Sequence, residues 1–490
     1  MEQKPQRNPW FLLLATQFLA LMWLGWRLLE PLGRDQAVFY VLGRELLHGR
    51  LPYRDLFEHK PPGILLIYTL AALLDGGDGW AIALLDTVSA GLTAGLLALF
   101  LQRADLHIAS YFAAMLYILT ARSPLFGGFW ATGQPEAFQD LAVALALVLA
   151  QRERWLGAGM AIFSALLLKF TYIGLLPVFL LWAGRERALR LLAGVLAPAL
   201  LLAGVGALTG TLVPAWQAAI VFNLQHAQVE ATPLVKIPLK FWHVLQRLLL
   251  TIPLVLLPPL LVRWRAADRE KWLLRLGLGI LLAALLQLLV QRKLWLWHWL
   301  ALILPLTILA SLTLARLWQW RKIPTLGLTL LLGIPLVQAQ IHAMQKPLTA
   351  NPGADRLARY TWGGNDFSAL EVALVGLTVK KHAQPGDLLL ISGFEPGIYL
   401  TSGLPPGTRW LYDYPLTVGL EPSAREEAIQ EILQQLPQIR LWVVMTNDAN
   451  ALERQDSRTQ LLATPALALA QERDYRLVER VLDAEVWVRK

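Results

Sequence analysis

The stretch EPLGRDQAVFYVLGRELLHGRLPYRDLFEHKPPG, residues 30–63, determines how the rest of the chain is organised. It follows the first long apolar segment and is densely charged, although most of the chain is apolar. Its apolar residues recur every three or four positions, which predicts a short amphipathic helix on a membrane surface. The Lys60-Pro61-Pro62-Gly63 motif ends the stretch, because proline and glycine interrupt regular structure. A solvated loop whose charges only face water is the alternative.

The composition is typical of a membrane protein. Hydrophobic residues make up 56% of the chain, and the mean hydropathy is +0.47. Several apolar runs reach the roughly 20 residues that a helix needs to cross a bilayer. The chain contains no cysteine, which excludes disulfides and thiolate metal sites. The net charge of +9 is explained by cytoplasmic loops and anionic lipids, so nucleic acid is not an expected partner.

Hydropathy and the distribution of basic residues together predict about eleven membrane crossings. Lys4 and Arg7 place the N-terminus in the cytoplasm, and the basic clusters at 151–154 and 184–187 place those loops on the same side. The predicted crossings are residues 10–29, 80–101, 107–121, 139–150, a helical hairpin within 155–183, 189–209, 243–262, 272–290, 300–317 and 323–341. The apolar segment 63–74 is too short to cross and is predicted to be half-inserted.

The predicted outer segments carry charges that this topology leaves unexplained. These segments are residues 30–63, 122–138, 210–241 and 291–299. Arg292 and Lys293 run against the positive-inside rule, which suggests an anionic ligand; a tolerated local charge or a miscounted span is the alternative. Lys169, at the tip of the hairpin, either extends to water or holds an anion.

The composition changes near residue 346, where apolar runs shorten and turn-forming dipeptides appear. We therefore predict a membrane domain over residues 1–345 and an α/β domain outside the membrane over residues 346–490. The predicted strands are 387–392, 439–445 and 485–489, and the predicted helices are 367–382 and 423–436. Ser368 and Glu371 form a capping-box pattern at the start of the first helix.

The outer segments combine acids, cations and an apolar surface. The first loop is rich in acids, the second loop contains Glu136, and basic residues lie at loop tips. A carboxylate can take a proton from an attacking hydroxyl or amine, and cations can hold a leaving phosphate. This combination suits the transfer of a sugar from a lipid-linked phosphate.

Several motifs resemble one family. They are G-R-D-Q at 33–36, L-L-x-G-x-x-P-Y-R-D at 46–55, the Lys-Pro-Pro that follows, G-Q-P-E-A-F at 133–138, and GDLLLISGFEPGIYLTSGLPP at 386–406. Together with Lys169 and His298, they resemble the GT-C superfamily of glycosyltransferases that use polyprenyl-phosphate sugars. Within it, the similarity is to the protein mannosyltransferase and lipid A aminoarabinose transferase group. The resemblance covers most of the chain and implies a polytopic helical fold with an extracytoplasmic C-terminal domain.

The resemblance also implies roles for individual residues. Asp35 matches the first-loop catalytic Asp, which would act as general base or orient the acceptor in an inverting reaction. Glu58 and Lys60 match an acid and a lysine at the end of that loop, although His59 separates them here, and Glu136 matches a second-loop acid. We therefore expect Asp35, Glu136 and Glu58 to be catalytic, Lys60, Lys169, Arg292, Lys293 and Arg34 to bind the donor phosphate, and Tyr40, Tyr53 and His298 to contact the substrate or acceptor.

Two further features leave alternatives open. Glu58, His59, His226 and His298 all fall in outer segments and could hold a divalent metal ion, or they are ordinary hydrogen-bonding groups. The rings of Tyr40, Tyr53, Trp130 and Trp297 could stack on sugars or anchor the chain at the membrane interface.

The expected partners are a polyprenyl-phosphate-linked sugar donor, a lipid, glycan or protein acceptor, and membrane lipids. The expected location is the plasma membrane, the inner one in a bacterium. A transporter of lipid-linked sugars would need paired charges at mid-bilayer and discontinuous helices in matching halves, which the sequence does not display. The third hypothesis for the function is a non-catalytic scaffold in envelope assembly.

Overall fold

The computed structural model describes residues 9–225, 232–251, 268–349, 363–364, 367–449 and 455–490. Each predicted crossing overlaps a helix, and the part of span 243–262 beyond residue 251 lies outside the described residues. The long helices are Pro9–Leu24, Trp80–Arg103, His107–Thr120, Pro135–Gln151, Trp155–Leu168, Leu175–Leu208, Ile237–Thr251, Asp268–Gln291, Ile303–Trp320 and Lys322–Thr349. Shorter 3-10 segments extend three of them, at Gly25–Leu29, Phe170–Gly174 and Leu296–Leu302.

Length and composition single out six of the described helices as able to cross a membrane. They are Pro9–Leu29, Trp80–Arg103, Phe170–Leu208, Asp268–Gln291, Leu296–Trp320 and Lys322–Gln345. Pro62–Asp75, His107–Thr120 and Trp155–Leu168 are apolar but shorter. The total of about eleven crossings stays a prediction.

The predicted hairpin is present, and two glycines permit close packing of its first helix against the helix that follows the hairpin. Gly184 has a non-helical backbone (φ 65°, ψ 179°) and divides Leu175–Leu208 into two helical parts. Beyond this break, Gly194 crosses Gly159 so closely that a Cβ on Gly194 would lie 2.0 Å from the Leu156 carbonyl oxygen. Small residues allow this kind of backbone contact between membrane helices.

The predicted loop 210–241 is wrong in part, because much of it is helical. Leu212–Trp216 continues into the π-helical Gln217–Phe222, and the Ile237–Thr251 helix begins before the predicted loop ends. His226 lies outside the described residues. The segment 212–222 is apolar enough for a helix but too short to give a membrane-span signal.

The opening stretch forms the predicted helix, Arg34–Leu47, followed by the helix Pro62–Asp75. The middle of the first helix is buried on every side, because the residues from Ala37 to Leu42 are each at most 2% exposed. It packs on Pro62–Asp75 and on the C-terminal helix Gly397–Ser402. The solvated-loop alternative is therefore wrong.

The C-terminal part contains a four-stranded sheet within the described residues. The strands run in the order Leu389–Ser392, Leu441–Met445, Ala484–Arg489, Tyr475–Val481. The first pair is parallel and the other two pairs are antiparallel. Its helices are Ala369–His382, Gly397–Ser402, Pro422–Gln435, Ser457–Leu462 and Pro465–Asp474. The three predicted strands and two predicted helices are present, and Tyr475–Val481 was not predicted.

The predicted capping box is half formed. Ser368 caps the Ala369–His382 helix by accepting a hydrogen bond from the backbone N–H of Glu371 at 3.2 Å. Glu371 Oε1 instead accepts the N–H of Asp483, at 2.8 Å, so this acid ties the helix to the turn between the last two strands.

Specific hydrogen bonds join the first outer loop to the C-terminal part. Arg44 donates to the carbonyls of Tyr399 and Leu404 at 3.1 and 3.0 Å. The Phe57 N–H donates to the Arg409 carbonyl at 2.8 Å. One hydrophobic cluster contains residues of both parts, from Trp26 to Val488. The two parts share a core, while the boundary at residue 346 stays a prediction.

Candidate active site

A cavity of about 300 Å³ lies between the first outer loop, the second outer loop, the segment after residue 292 and the C-terminal part. Its lining consists of Arg34, Asp35, Val38, Phe39, Glu58, His59, Lys60, Trp130, Gln134, Lys293, Trp295, Trp297, His298, Phe394, Tyr412 and Tyr414. Segments more than 350 residues apart in sequence therefore meet at one place.

Asp35 lies in the first turn of the Arg34–Leu47 helix, where the helix dipole favours a negative charge. Gln134 Nε2 donates to Asp35 Oδ2 at 3.3 Å. The neighbouring Gln36 donates to the carbonyls of Phe129, Trp130 and Thr132 at 3.0–3.1 Å. Two glutamines thus hold the carboxylate and the start of its helix against the second loop.

A buried ion cluster fixes that second loop. Arg122 Nε donates to Asp86 Oδ1 at 2.6 Å, and Arg27 lies 3.5 Å from the other Asp86 oxygen. Arg27 also bonds Glu30 at 3.1 Å, and Thr132 donates to Glu30 at 2.6 Å. All four charged side chains are at most 3% exposed. Sequence reasoning missed this cluster, because a charge near the end of an apolar run does not identify its partner.

Glu58, His59 and Lys60 form one corner of the cavity. Glu58 Oε1 accepts the backbone N–H groups of His59 and Lys60 at 2.9 and 2.8 Å. The Lys60 ammonium lies 3.2 Å from His59 Nε2. Burial raises the pKa of Glu58 to about 7, although the nearby Lys60 charge opposes this shift. Glu58 therefore shapes the turn that presents Lys60 and is itself a titratable group of the cavity.

Cations gather on the same side of the cavity. Lys60, Lys293 and His298 line it, and the charges of Lys60, Lys169 and Lys293 all act on the His298 ring. Lys169 is paired with the fully buried Glu136, and neither of the two lines the cavity. The predicted cations Lys60 and Lys293 are thus brought together, whereas Glu136 is brought to Lys169 and not to Asp35.

Three predicted site residues lie elsewhere. The Tyr40 hydroxyl donates to Asp75, and the Tyr53 hydroxyl donates to the Lys60 carbonyl at 2.7 Å. The Arg292 guanidinium donates to the Thr232 carbonyl at 3.4 Å. None of the three lines the cavity, because each polar group is used to hold the fold. The structure therefore does not support them as substrate or phosphate contacts.

Arg34 lines the cavity, but its charge is already matched. Its Nη2 and Nε atoms donate to Glu395 Oε1 at 2.6 and 2.9 Å. The guanidinium also lies over the rings of Phe367 and Phe394, at 5.5 and 5.6 Å. Sequence reasoning did not anticipate Glu395, because it is 361 positions away in the chain.

The predicted metal ligands Glu58, His59 and His298 are not grouped as a metal site, and His226 lies outside the described residues. In the described part of the chain, no three His, Asp or Glu side chains are grouped so that they could hold a metal. Glu58 Oε1 is occupied by two backbone N–H groups, and the Lys60 ammonium beside His59 would repel a cation. We therefore derive no step that uses a metal.

Aromatic rings form the rest of the lining. The sequence singled out Trp130 and Trp297, and both line the cavity. Phe394, Tyr412 and Tyr414 were not predicted, nor was Gln134. The only signal for Phe394 was its place in the segment 386–406, which resembles the outer domain of the GT-C family.

Solved structures share this fold. ArnT from Cupriavidus metallidurans bound to undecaprenyl phosphate aligns over 98% of this chain and 98% of its own, with a TM-score of 0.62 and 13% identity. The same enzyme in the apo state aligns over 97% and 96%, with a TM-score of 0.56 and 14% identity. The archaeal oligosaccharyltransferase AglB from Archaeoglobus fulgidus, in complex with an inhibitory peptide and a dolichol-phosphate, covers 98% of this chain and 74% of its own, with a TM-score of 0.51 and 11% identity.

Sequence comparison adds no relative. No model of a known protein family matches the chain, and no curated protein matches it. The structural similarity confirms the predicted fold class, a polytopic helical membrane protein.

Proposed function

We propose that this chain of GT-C fold is an inverting glycosyltransferase that moves a sugar from a polyprenyl phosphate to an acceptor at the outer face of the plasma membrane. One observation carries the proposal: a carboxylate, Asp35, and two cations, Lys60 and Lys293, line the same cavity. The undecaprenyl phosphate bound to ArnT, which shares the fold, supports a lipid phosphate as the donor's carrier.

In the proposed reaction, Asp35 takes the proton from the acceptor hydroxyl or amine while that group attacks the anomeric carbon. A new bond forms to this carbon, and its bond to the phosphate oxygen breaks on the opposite face. The electron pair leaves with the polyprenyl phosphate, and the sugar configuration inverts. Gln134 keeps the carboxylate oriented through its hydrogen bond to Oδ2.

Lys60 and Lys293 would hold the donor phosphate. Charge-assisted contacts stabilise the negative charge that develops on the leaving group. Lys169 contributes to the local positive field, but its pairing with Glu136 occupies its ammonium. We therefore assign direct phosphate contact to the two lining lysines.

The first prediction tests Asp35. We expect Asp35→Asn to reduce sugar transfer by about 10²- to 10⁴-fold, because the base is lost, and to leave the binding of undecaprenyl phosphate unchanged. The measurement is the envelope glycan of a deletion strain that carries each variant, compared with direct lipid binding by the purified protein. Asp55→Asn is the matched control, since Asp55 lies in the same loop but pairs with Arg54.

The result would also separate other functions. A normally expressed Asp35→Asn protein with full transfer would disprove the catalytic role. Wild-type protein that moves the lipid-linked sugar across vesicles without transferring it would identify a transporter. A deletion strain with an unchanged set of envelope glycans would favour a scaffold.

The second prediction tests the phosphate site. Lys60→Met should weaken binding of undecaprenyl phosphate by about tenfold to a hundredfold, as expected for the loss of a charge-assisted hydrogen bond. Lys236→Met serves as the control, because Lys236 does not line the cavity. Equal affinity in the two variants would remove Lys60 from the donor site.

A further inference from the structure

The cavity has two chemically different sides. Lys60 and Lys293 form a cationic side, next to the His298 ring. Trp295 and Trp297 lie beside Lys293 and His298, and a second aromatic group, which we call the aromatic side, consists of Trp130, Phe394, Tyr412 and Tyr414. The three rings from the C-terminal part are roughly parallel: Phe394 lies 4.6 Å from Tyr412 with an interplanar angle of 19°, and 5.8 Å from Tyr414 with an angle of 15°.

The aromatic side is poorly suited to a phosphate. Its nearest cation, Arg34, already forms two bonds to Glu395, and the Glu395 carboxylate would repel an anion. Aromatic surface that lines a cavity instead suits a sugar ring, which presents C–H groups on its face and hydroxyls at its rim.

The same ion pair links this aromatic side to Asp35. Arg34 precedes Asp35 in the first turn of the helix, while Glu395 follows Phe394 in the C-terminal part. The guanidinium lies over the rings of Phe367 and Phe394, and the Phe367 and Trp130 ring centroids are 5.0 Å apart. The position of the Phe394 ring and that of the Asp35 carboxylate therefore both depend on the Arg34–Glu395 contact.

We propose that Phe394, Tyr412 and Tyr414 form the acceptor subsite, that they receive a sugar ring of the acceptor, and that Arg34–Glu395 is a positioning pair that sets this subsite relative to Asp35. This inference rests on the proposed function and adds the acceptor's chemical class. Arg34 accordingly does not contact the donor phosphate.

The test separates acceptor from donor effects in the full-length purified protein. The probes are undecaprenyl phosphate for lipid binding and membranes of the deletion strain, which contain the unmodified acceptor, for transfer. Phe394→Leu keeps an apolar side chain but removes the ring. We expect it to raise the apparent KM for acceptor membranes about two- to tenfold, the range expected for one aromatic contact, with unchanged lipid affinity.

Two companion variants exclude a merely structural effect. Phe394→Tyr keeps the ring and should restore the wild-type KM. Trp487→Leu removes a partly buried aromatic side chain of the C-terminal sheet. Trp487 does not line the cavity, so this variant should leave the acceptor KM unchanged.

The positioning pair is tested in the same assay. Glu395→Gln should raise the acceptor KM without weakening lipid binding, whereas Glu479→Gln, which breaks the exposed pair with Lys381, should change neither. The double variant that combines Arg34→Gln with Glu395→Gln should have the same acceptor KM as Arg34→Gln alone, because each substitution removes the same contact.

Each alternative outcome is distinct. If Phe394→Leu or Arg34→Gln weakens lipid binding as Lys60→Met does, this side of the cavity belongs to the donor and the inference is wrong. If the acceptor KM does not change in any variant, or if a peptide but no glycan of the membranes is modified, the sugar subsite is also wrong. Wild-type protein that neither binds undecaprenyl phosphate nor transfers sugar overturns the proposed function itself, before any variant is compared.

Discussion

At the scale of single residues, Glu58 makes the site sensitive to pH. Its carboxyl is buried, and its pKa of about 7 means that it changes charge near neutrality. The neutral form leaves the Lys60 ammonium free to attract a lipid phosphate, whereas the carboxylate competes for the same charge. Protonation of Glu58 and phosphate binding should therefore favour each other.

We predict that the affinity for undecaprenyl phosphate falls as the pH rises from about 6 to about 8, across the Glu58 pKa. Binding is measured by titration calorimetry in detergent at several pH values. In Glu58→Gln this contribution should vanish, and only the titration of the lipid phosphate itself should remain. An identical pH dependence in wild type and Glu58→Gln would contradict the coupling.

Single residues also show which parts of the site can be predicted from the sequence. Asp35 and Lys60 stood out because charges are rare in an apolar chain, and both line the cavity. Tyr40 and Tyr53 had the same polar and aromatic character, but their hydroxyls bond to Asp75 and to the Lys60 carbonyl. A residue type shows which contacts a side chain can make, while the partner that it does make depends on distant parts of the chain.

At the scale of elements, the buried ion cluster fixes the second loop against the Trp80–Arg103 helix. Asp86 contacts both Arg27 and Arg122 while 1% exposed. We predict that Asp86→Asn lowers the free energy of unfolding by about 3–5 kcal/mol, because the buried Arg122 loses its counter-charge and Arg27 keeps only Glu30. The measurement is thermal unfolding of the purified protein in detergent.

The matched control is the exposed pair Asp105–Arg269, with a separation of 2.9 Å. Asp105→Asn should change stability by less than about 0.5 kcal/mol, since solvent screens an exposed pair. Equal effects of the two substitutions would mean that the buried cluster adds no more stability than a surface pair.

The close crossing of Gly159 and Gly194 gives a second test at this scale. We predict that Gly194→Ala destabilises the fold by about 1–3 kcal/mol, as overpacking does, because the added methyl would meet the Leu156 carbonyl. Gly204 lies in the same helix with open space around it, so Gly204→Ala should not destabilise. The unfolding temperatures of the two variants in detergent check this, and similar losses would contradict the close crossing.

Elements also differ in how well the sequence predicts them. Every predicted span overlaps a helix, because about 20 apolar residues leave few alternatives in a membrane. The sequence predicts a loop over 212–222, which is helical, because a short apolar run gives no clear periodicity. The strand Tyr475–Val481 was missed because its apolar residues, Tyr475, Leu477, Val478 and Val481, do not alternate strictly with polar ones.

At the scale of the whole molecule, the predicted orientation can be tested directly, because the chain contains no cysteine. Glu427 and Arg154 are both exposed, the first in the C-terminal part and the second in a loop predicted to be cytoplasmic. In intact spheroplasts, a membrane-impermeant maleimide should label Glu427→Cys. Arg154→Cys should react only after lysis, and the reverse pattern would invert the topology.

The bond between Phe57 and the Arg409 carbonyl has a consequence for biosynthesis. The early loop would reach the far side of the membrane before most of the chain is synthesised, yet its partner segment around Arg409 is made hundreds of residues later. Until translation is nearly complete, the loop lacks the neighbours that give it shape. The protein should therefore gain its substrate-binding form in a single late step, and a prematurely terminated product would insert its helices but remain inert.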